Sequence, residues 1–192
     1  MDVKDIIVLQ QERTIRWHAE DVVATRDTSL LGIAEQNHLE NFKLWHEEDV
    51  ARCDNLGDQR IVQAKRAIDR HNQQRNDLIE AIDRYFVQSL QPAEEGSPFN
   101  SETPGMMIDR LSILALKQYH MREESEREDA TSEHRATCCT KLSVIEQQIG
   151  HLSAALSRLL NEVRAGTRSF RVYFQFKMYN DQELNPQLRR AA

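Results

Sequence analysis

Two segments of the chain place acidic side chains one helical turn from a second potential ligand, so that both side chains of a pair share one helix face. His46 and Asp49 form one such pair, and Glu80 and Asp83 form a pair of carboxylates. Two helices that bring these pairs together can bind a divalent cation. Carboxylate oxygens favour magnesium or manganese, whereas an imidazole from His46 shifts the preference toward iron or zinc. We therefore take Asp49, Glu80 and Asp83 as candidate metal ligands.

Basic and amide side chains on neighbouring segments are candidates for holding an anion. The fourth predicted helix is apolar around almost its whole circumference, and yet it carries Arg110, Lys117 and His120. Because a charge removed from water must be paired or contact a ligand, we expect these groups to be buried beside a site. His46 or His120 is the first candidate for proton transfer. The candidate ligand-binding residues are Arg52, Lys65, Asn72, Asn76, Asp109, Arg110 and Lys117.

These residues favour a site for an anionic small molecule, such as a phosphorylated or nucleotide-linked sugar, with a divalent metal such as magnesium or manganese as its cofactor. A second interpretation is structural: the polar groups pair with neighbouring helices or mark the boundary with water. The protein is then a non-catalytic scaffold that docks through its helices onto a partner or onto a second copy as a homodimer. The sequence leaves open whether the protein is an enzyme.

A third interpretation is a magnesium-dependent enzyme, because Glu80 and Asp83 form a Glu-x-x-Asp motif similar to that of the all-helical nucleoside-triphosphate pyrophosphohydrolases. The preceding glutamates, Glu47 and Glu48, lack the third glutamate that this pattern requires at Ala51. The sequence contains no glycine-rich phosphate loop, His-Glu-x-x-His box or nucleophile elbow. Most of the common hydrolase and nucleotide-binding motifs are therefore excluded.

The positions of proline and glycine divide the chain into long helices. All four prolines lie at position 92 or beyond, and there are only six glycines, which is too few turn-forming residues for an all-β sandwich. Apolar periodicity and capping residues predict helices over 3–18, 30–53, 58–90, 104–126 and 132–164. In the last of these helices the apolar residues repeat every four and three positions, as in the a/d seam of a bundle. The predicted fold class is an all-α helical bundle.

We expect residues 1–192 to form a single all-helical domain. The loop at 91–103 is a bend within that domain, because neither flank could close a core alone, and the C-terminal tail covers 167–192. Within 168–180 the apolar residues alternate as in a strand but also suit a helix. We expect a helix there, since a lone strand would leave its backbone groups without partners.

Charge and cysteine content limit the setting and the partners. The formal net charge is -6, with 25 basic against 31 acidic residues, so the molecule repels a phosphate backbone and we expect no nucleic-acid partner. The three cysteines form no Cys-x-x-Cys pair, which favours a cytoplasmic location. No apolar window is long enough for a membrane span, and the first residues lack the basic and apolar regions of a signal peptide.

Four runs of sequence carry the segments described above: 41–52 (NFKLWHEEDVAR), 65–83 (KRAIDRHNQQRNDLIEAID), 100–120 (NSETPGMMIDRLSILALKQYH) and 177–186 (KMYNDQELNP). They resemble an uncharacterised bacterial family, the domain of unknown function 4254, over most of the chain. The resemblance implies an all-helical bacterial protein of about this length, often encoded beside surface-polysaccharide glycosyltransferases. It implies no activity and no catalytic residues, but its motifs coincide with the polar segments singled out here.

Overall fold

A computed structural model describes residues 2–25, 27–174 and 183–191. The chain is 75% helical, with six helices and two very short strands in the described part, so the predicted all-α class is confirmed. None of the described helices is both long and apolar enough to cross a membrane. The elements are α1 (Val3–Ala19), α2 (Leu30–Ala51), α3 (Asp58–Leu90), β1 (Phe99–Asn100), α4 (Pro104–Glu126), α5 (Ser132–Arg164), β2 (Ser169–Phe170) and α6 (Pro186–Ala191), with a 3-10 turn at Asp54–Leu56 between α2 and α3.

Capping side chains set where the long helices begin. Asp2 and Asp5 form a reciprocal capping box at the start of α1. The Asp2 carboxylate accepts a backbone N–H of the first helical turn, and the Asp5 carboxylate accepts the backbone N–H of Asp2. Ser29, Thr103 and Thr131 cap α2, α4 and α5 in the same manner, each accepting the backbone N–H three residues later. These caps are readable from sequence, and the helix starts lie where the sequence predicts them.

The five long helices share one hydrophobic core. Helices α2 and α3 pack along each other, as do α4 and α5, and α1 lies across α4 and α2. Ile6 of α1, Ile82 of α3 and Leu156 of α5 are fully buried at the centre. The a/d residues of α5, such as Leu152 and Leu156, are therefore covered within the same chain rather than left open for a partner.

Helices α3 and α4 approach most closely where Gly105 faces Asp83. A Cβ atom at Gly105 would lie 2.5 Å from the carbonyl oxygen of Ile79 and 2.7 Å from Asp83 Oδ1, so only glycine fits. The Asp83 carboxylate accepts the Gly105 N–H (2.6 Å) and the Thr103 hydroxyl (2.6 Å). Asp83 thus caps α4 from the neighbouring helix. Burial raises the pKa of this carboxyl to about 6.

The beginning of the C-terminal tail is a strand, so the expectation of a helix is wrong for residues 169–170. Strand β2 pairs in parallel with β1, with Phe99 opposite Ser169 and Asn100 opposite Phe170. The partner comes from the loop at 91–103, which the sequence analysis treated only as a bend. Residues 171–174 have no regular structure, and 175–182 lie outside the described residues.

Candidate metal centre

Three histidines from three helices meet at one end of the bundle. His18 lies at the end of α1, His46 in the last third of α2 and His120 in the last third of α4. One ring nitrogen from each lies within 4.8 Å of a ring nitrogen from the other two, and all three side chains are partly buried. We call these residues the tri-histidine cluster. It is the arrangement in the described structure that best suits a metal ion.

Aromatic rings hold the tri-histidine cluster in place. His18 stacks on Tyr119, with ring centroids 4.1 Å apart, and His120 stacks on Trp45 at 4.7 Å. The edge of Phe42 contacts both His18 and His46, at 4.9 Å and 4.5 Å. These contacts restrict the rotation of the imidazoles. The rings are therefore oriented before any ligand arrives.

The hydrogen bonds of two of these histidines fix which nitrogen carries the proton. His18 Nδ1 lies 2.7 Å from the backbone carbonyl oxygen of Thr14, and His120 Nδ1 lies 2.9 Å from the Glu123 carboxylate. Because both oxygens only accept, each Nδ1 donates and each Nε2 of a neutral ring keeps a lone pair. Both Nε2 atoms are buried and have no hydrogen-bond partner among the described residues.

That pattern is the one that metal-ligating histidines show. Such residues donate one ring N–H to a carbonyl or carboxylate, which orients the other nitrogen toward the metal. A buried acceptor without a partner is otherwise unfavourable by about 1–3 kcal/mol, and native structures contain few of them. The two unpartnered nitrogens of His18 and His120 therefore need a ligand more than any other polar atoms near the cluster.

Electrostatics favour the neutral form that a metal requires. Burial lowers the pKa of His46, and the nearby His18 and His120 lower it further. Burial also lowers the pKa of His120, although the hydrogen bond that its Nδ1–H donates to Glu123 opposes this effect. A lowered pKa leaves the imidazole unprotonated at neutral pH, so protons compete only weakly with a metal ion.

The spacing of the tri-histidine cluster fits a small ion after a modest contraction. Zinc–nitrogen bonds of about 2.0–2.1 Å in a tetrahedral site place the nitrogens roughly 3.3 Å apart. From the observed limit of 4.8 Å, the nitrogens must approach one another by at most about 1.5 Å. Because the movement is shared between the side chains, small torsion changes that keep the aromatic contacts in place provide it. The carboxylate of Asp49 is exposed nearby, and its charge acts on both His46 and His120.

A chain of buried hydrogen bonds leads from the cluster into the core. The Thr14 hydroxyl donates to the Gln10 carbonyl (2.8 Å), so it accepts from Nε2–H of His38 (2.9 Å). His38 Nδ1 then accepts the Ser112 hydroxyl (2.7 Å), which in turn accepts the amide of Asn41 (3.0 Å). His38 is fully buried, and burial lowers its pKa to about 3. Both of its nitrogens are used by the protein itself, so it is not a ligand candidate.

Asp109, a predicted ligand-binding residue, is a structural member of this chain. Its carboxylate is buried and accepts the amides of Asn37 (3.1 Å) and Asn41 (2.8 Å). Arg75 forms an ion pair with it, with 3.1 Å between Nε and Oδ1. The charge of Asp109 is therefore neutralised inside the protein, and one edge of Arg75 remains to face solvent.

A pocket of about 340 Å³ lies between α2, α3 and α4, next to Arg75. It brings together three of the predicted site residues, Asp49, Arg52 and Asn72. Arg52 forms an ion pair with Glu48, with 2.6 Å between Nη1 and Oε2. Two cations and two acids line this pocket, so their formal charges balance. The pocket shares Trp45 with the surroundings of His120.

Other predicted site residues lie apart from the cluster. Lys65 is exposed and pairs with Asp69 (2.8 Å), and Asn76 is half-buried further along α3. Arg110 and Lys117 are exposed, so the expectation that they are buried is wrong. Arg110 pairs with Glu102 at the surface. The physical reason is that α4 is covered by its neighbours on most sides but leaves one strip open beside α5.

The predicted carboxylate ligands are likewise separated. Glu47 contacts Arg60 near the start of α3, whereas Glu80 lies twenty residues later, or about 30 Å along the helix axis. Asp83 caps α4 at that distant end. The structure therefore does not bring Asp49 together with Glu80 and Asp83.

The structure does bring together His46 and His120, the two predicted proton-transfer residues, and adds His18, which the sequence analysis did not single out. A sequence signal for all three exists. Each histidine directly follows an aromatic residue, in the pairs Trp17-His18, Trp45-His46 and Tyr119-His120, and none of the other four histidines does. In a helix, adjacent residues lie about 100° apart, so such a pair places an aromatic ring beside the imidazole at the edge of the core.

Comparison with known proteins gives a family but no activity. No curated protein and no solved structure matches the chain. A family model described as a protein of unknown function, DUF4254, matches residues 31–172. That match covers α2 to α5 and both strands, including His46 and His120, while His18 lies before it. Because the match extends over well more than half of its length, the chain belongs to the DUF4254 family of proteins of unknown function.

Proposed function

We propose that this protein binds one transition-metal ion, preferably Zn²⁺, through the imidazoles of His18, His46 and His120. The observation that carries the proposal is the pair of buried Nε2 atoms, on His18 and His120, that have no partner among the described residues. Both belong to a group of three imidazoles that each bring one ring nitrogen within 4.8 Å of the other two. Their opposite nitrogens donate to a carbonyl and a carboxylate, as metal ligands do.

The donor set favours zinc over the magnesium or manganese expected from sequence. Imidazole nitrogen suits zinc, iron, copper and nickel, whereas magnesium and manganese prefer oxygen. Three protein ligands leave a fourth tetrahedral position open, which is typical of catalytic rather than structural zinc. A metal in such a site polarises a bound oxygen or lowers the pKa of a bound water. The Asp49 carboxylate, whose charge acts on His46 and His120, is the acid that would accept a proton in hydrolytic chemistry there.

The adjoining pocket supports an anionic small molecule as the ligand on which the metal acts. Arg52 and Arg75 line the pocket, and each is paired with one carboxylate, so each guanidinium keeps further N–H donors for an anion, while the Asn72 amide suits sugar hydroxyls. The pocket lies one helical turn from His120, because Leu116 forms part of its wall. A phosphorylated sugar combines the two kinds of group that this lining recognises.

The two competing interpretations have less support. A magnesium-dependent pyrophosphohydrolase needs its acidic residues gathered at one place, and Glu47 and Glu80 are separated along α3. A scaffold that docks through the a/d seam of α5 needs that seam exposed, and Leu152 and Leu156 are buried against other helices of the same chain.

Zinc titration of the purified, chelator-treated protein tests the proposal. We expect one Zn²⁺ per chain, and Co²⁺ in its place should give the visible absorption of a tetrahedral site. His18→Ala should weaken zinc binding by about 100-fold or more, since even the loss of an outer hydrogen bond weakens metal sites by about 10–100-fold. His151→Ala is the matched control, because His151 is exposed on α5 and away from the cluster.

Unchanged zinc affinity in His18→Ala and His120→Ala would contradict the proposal. The anion part is tested separately with the zinc-loaded protein. Glucose 1-phosphate should bind and glucose should not, and Arg52→Ala should weaken that binding without changing zinc affinity. Equal binding of glucose and its phosphate would overturn the assignment of an anionic ligand.

A further inference from the structure

A groove runs along the exposed strip between α4 and α5, and one end of it reaches His120 of the tri-histidine cluster and Trp45 of the pocket. It consists of two adjoining hollows of about 640 Å³ and 570 Å³, and both are bordered by Lys117 and Gln148. The first hollow extends toward Glu102 and the second ends against His120 and Trp45. From Met107 to His120 the groove follows thirteen residues of α4, which is about 20 Å.

The surface of the second hollow is mostly apolar, and apolar side chains make up half of the residues that line the first hollow. Ile113, Leu114 and Leu152 form the floor of the first hollow, and Val144 and Ile145 line the second together with Trp45. Val144 is 48% exposed, so its side chain is accessible to a ligand in the second hollow. Apolar surface in a groove of this length favours a ligand with an extended apolar part.

The rim of the groove carries positive charge that the protein does not neutralise. Lys117 lies at the middle of the groove and Lys141 at one side. The ammonium groups of these two lysines have no hydrogen bond or ion pair within the described part of the chain. The acids of the groove are already paired, Glu102 with Arg110 and Glu124 with Arg127. A surplus of positive charge thus lies over an apolar floor, in a chain whose net charge is -6.

We propose that this groove binds an amphipathic anion: a molecule with a long alkyl or acyl chain and one carboxylate or phosphate head group. The chain lies on the floor formed by α4 and α5, and the head group binds Lys117 and Lys141. A peptide or a second copy of this chain fits less well, because the two lysines need one concentrated negative charge beside a continuous apolar segment. Binding does not require the metal ion, so the inference is independent of the proposed function.

Dodecyl phosphate, used below its micelle concentration on chelator-treated protein, is the probe. Trp45 lines the groove, so its fluorescence should change on binding, and Trp45→Phe should remove that signal while calorimetry still detects the ligand. We expect saturable binding at one site. Inorganic phosphate should bind at least tenfold more weakly, because it lacks the chain, and neutral dodecyl maltoside at least tenfold more weakly, because it lacks the charge.

Variants separate the two kinds of recognition. Lys117→Met with Lys141→Met should weaken dodecyl phosphate binding at least tenfold and bring it to the level of dodecyl maltoside. Val144→Asp should abolish binding by placing a negative charge on the floor, and it should leave the fold intact because Val144 is half-exposed. Lys4→Met is the control, since Lys4 is exposed on α1 and outside the groove.

Three outcomes would overturn the inference. Equal affinity for dodecyl phosphate and dodecyl maltoside would remove the role of the lysines, and equal affinity for inorganic phosphate would remove the role of the floor. No dodecyl phosphate binding, together with a wild-type dimer that Val144→Asp converts to a monomer, would identify a second copy as the occupant. Zinc affinity should be unchanged in these variants, so failure here is distinguishable from failure of the metal proposal.

Discussion

His38 and His18 are both imidazoles inside the same end of the bundle, and they differ in what the protein does with their second nitrogen. His38 uses both ring nitrogens, one on Thr14 and one on Ser112. His18 uses only Nδ1, and its buried Nε2 has no partner among the described residues. The comparison separates a structural histidine from a candidate metal ligand. Both rings are at least partly buried, but of the two only the candidate ligand has a ring nitrogen without a hydrogen-bond partner among the described residues.

Removal of His38 should give the largest effect on stability. His38→Ala leaves a cavity and removes one hydrogen-bond partner from each of two buried hydroxyl groups, so we expect the free energy of unfolding to fall by about 3–5 kcal/mol. Urea denaturation of the metal-free protein measures this loss. His18→Ala should lower the same quantity by only about 1 kcal/mol, since it loses one hydrogen bond and ring contacts while its Nε2 has no hydrogen-bond partner among the described residues. Similar losses in the two variants would break the comparison.

The pH dependence of stability gives a second test of the difference between His38 and His18. Burial holds the pKa of His38 at about 3, below the ordinary value of 6.5, so the unfolded chain binds its proton first as the pH falls. Stability should therefore decrease on acidification from pH 6.5, by about 1.4 kcal/mol per pH unit from this group alone. His38→Gln should flatten the slope in urea denaturation series at different pH values. An unchanged slope would show that other groups dominate.

Asp83 should have the opposite effect on the pH dependence of stability, because burial raises its pKa from 3.8 to about 6. Between pH 3.8 and 6 the folded state binds the proton more tightly, so this group contributes stability at low pH that is lost as the pH rises toward 6. Asp83→Asn should therefore make the acid-side loss of stability steeper than in the wild type. A shallower loss would mean that the carboxylate is favoured in its ionised form.

The close approach of α3 and α4 beside Asp83 should tolerate no side chain at Gly105. Gly105→Ala places a methyl group 2.5 Å from the Ile79 carbonyl, and we expect a loss of about 2–3 kcal/mol in the free energy of unfolding. Gly150→Ala on α5 is the matched control, because nothing lies within 4 Å of its added Cβ. That exchange should stabilise the protein by about 0.5–1 kcal/mol. Both values come from the same denaturation assay.

The smallest effect should come from the carboxylate behind His120. Glu123→Gln keeps an oxygen that accepts the Nδ1–H but removes the negative charge, so zinc affinity should fall by about tenfold. Competition with a chromogenic chelator measures this change. Glu126→Gln, on the same helix and also exposed, should bind zinc like the wild type. Equal affinities in the two variants would mean that Glu123 does not act on the metal site.

The helices could be predicted from sequence because their signals are local. Ser29, Thr103 and Thr131 are typical N-cap residues that indicate where helices begin, and Pro104 suits the first position of α4. The strand at Ser169–Phe170 could not be predicted in this manner, because its partner lies about seventy residues earlier in an apparently irregular loop. Two residues of pairing leave no periodic pattern in either segment.

The candidate site was only partly predictable for a similar reason. His46 stood out because Asp49 lies one turn away on its own helix, and His120 because it is an ionisable residue on the apolar fourth helix. His18 shows neither pattern, and its place in the cluster depends on how α1 crosses α4. The burial of Lys117 was predicted from the apolar circumference of α4, but the strip beside α5 stays open, which depends on packing rather than on periodicity.

The oxygen that orients His18 belongs to the main chain of Thr14, and this has a consequence for mutation. A side-chain replacement at position 14 can disturb His38 through the lost hydroxyl, but it leaves the carbonyl in place. His120, by contrast, depends on a side chain that a single base change can remove. Laboratory evolution toward altered metal preference should therefore collect substitutions around Glu123 and leave the support of His18 untouched.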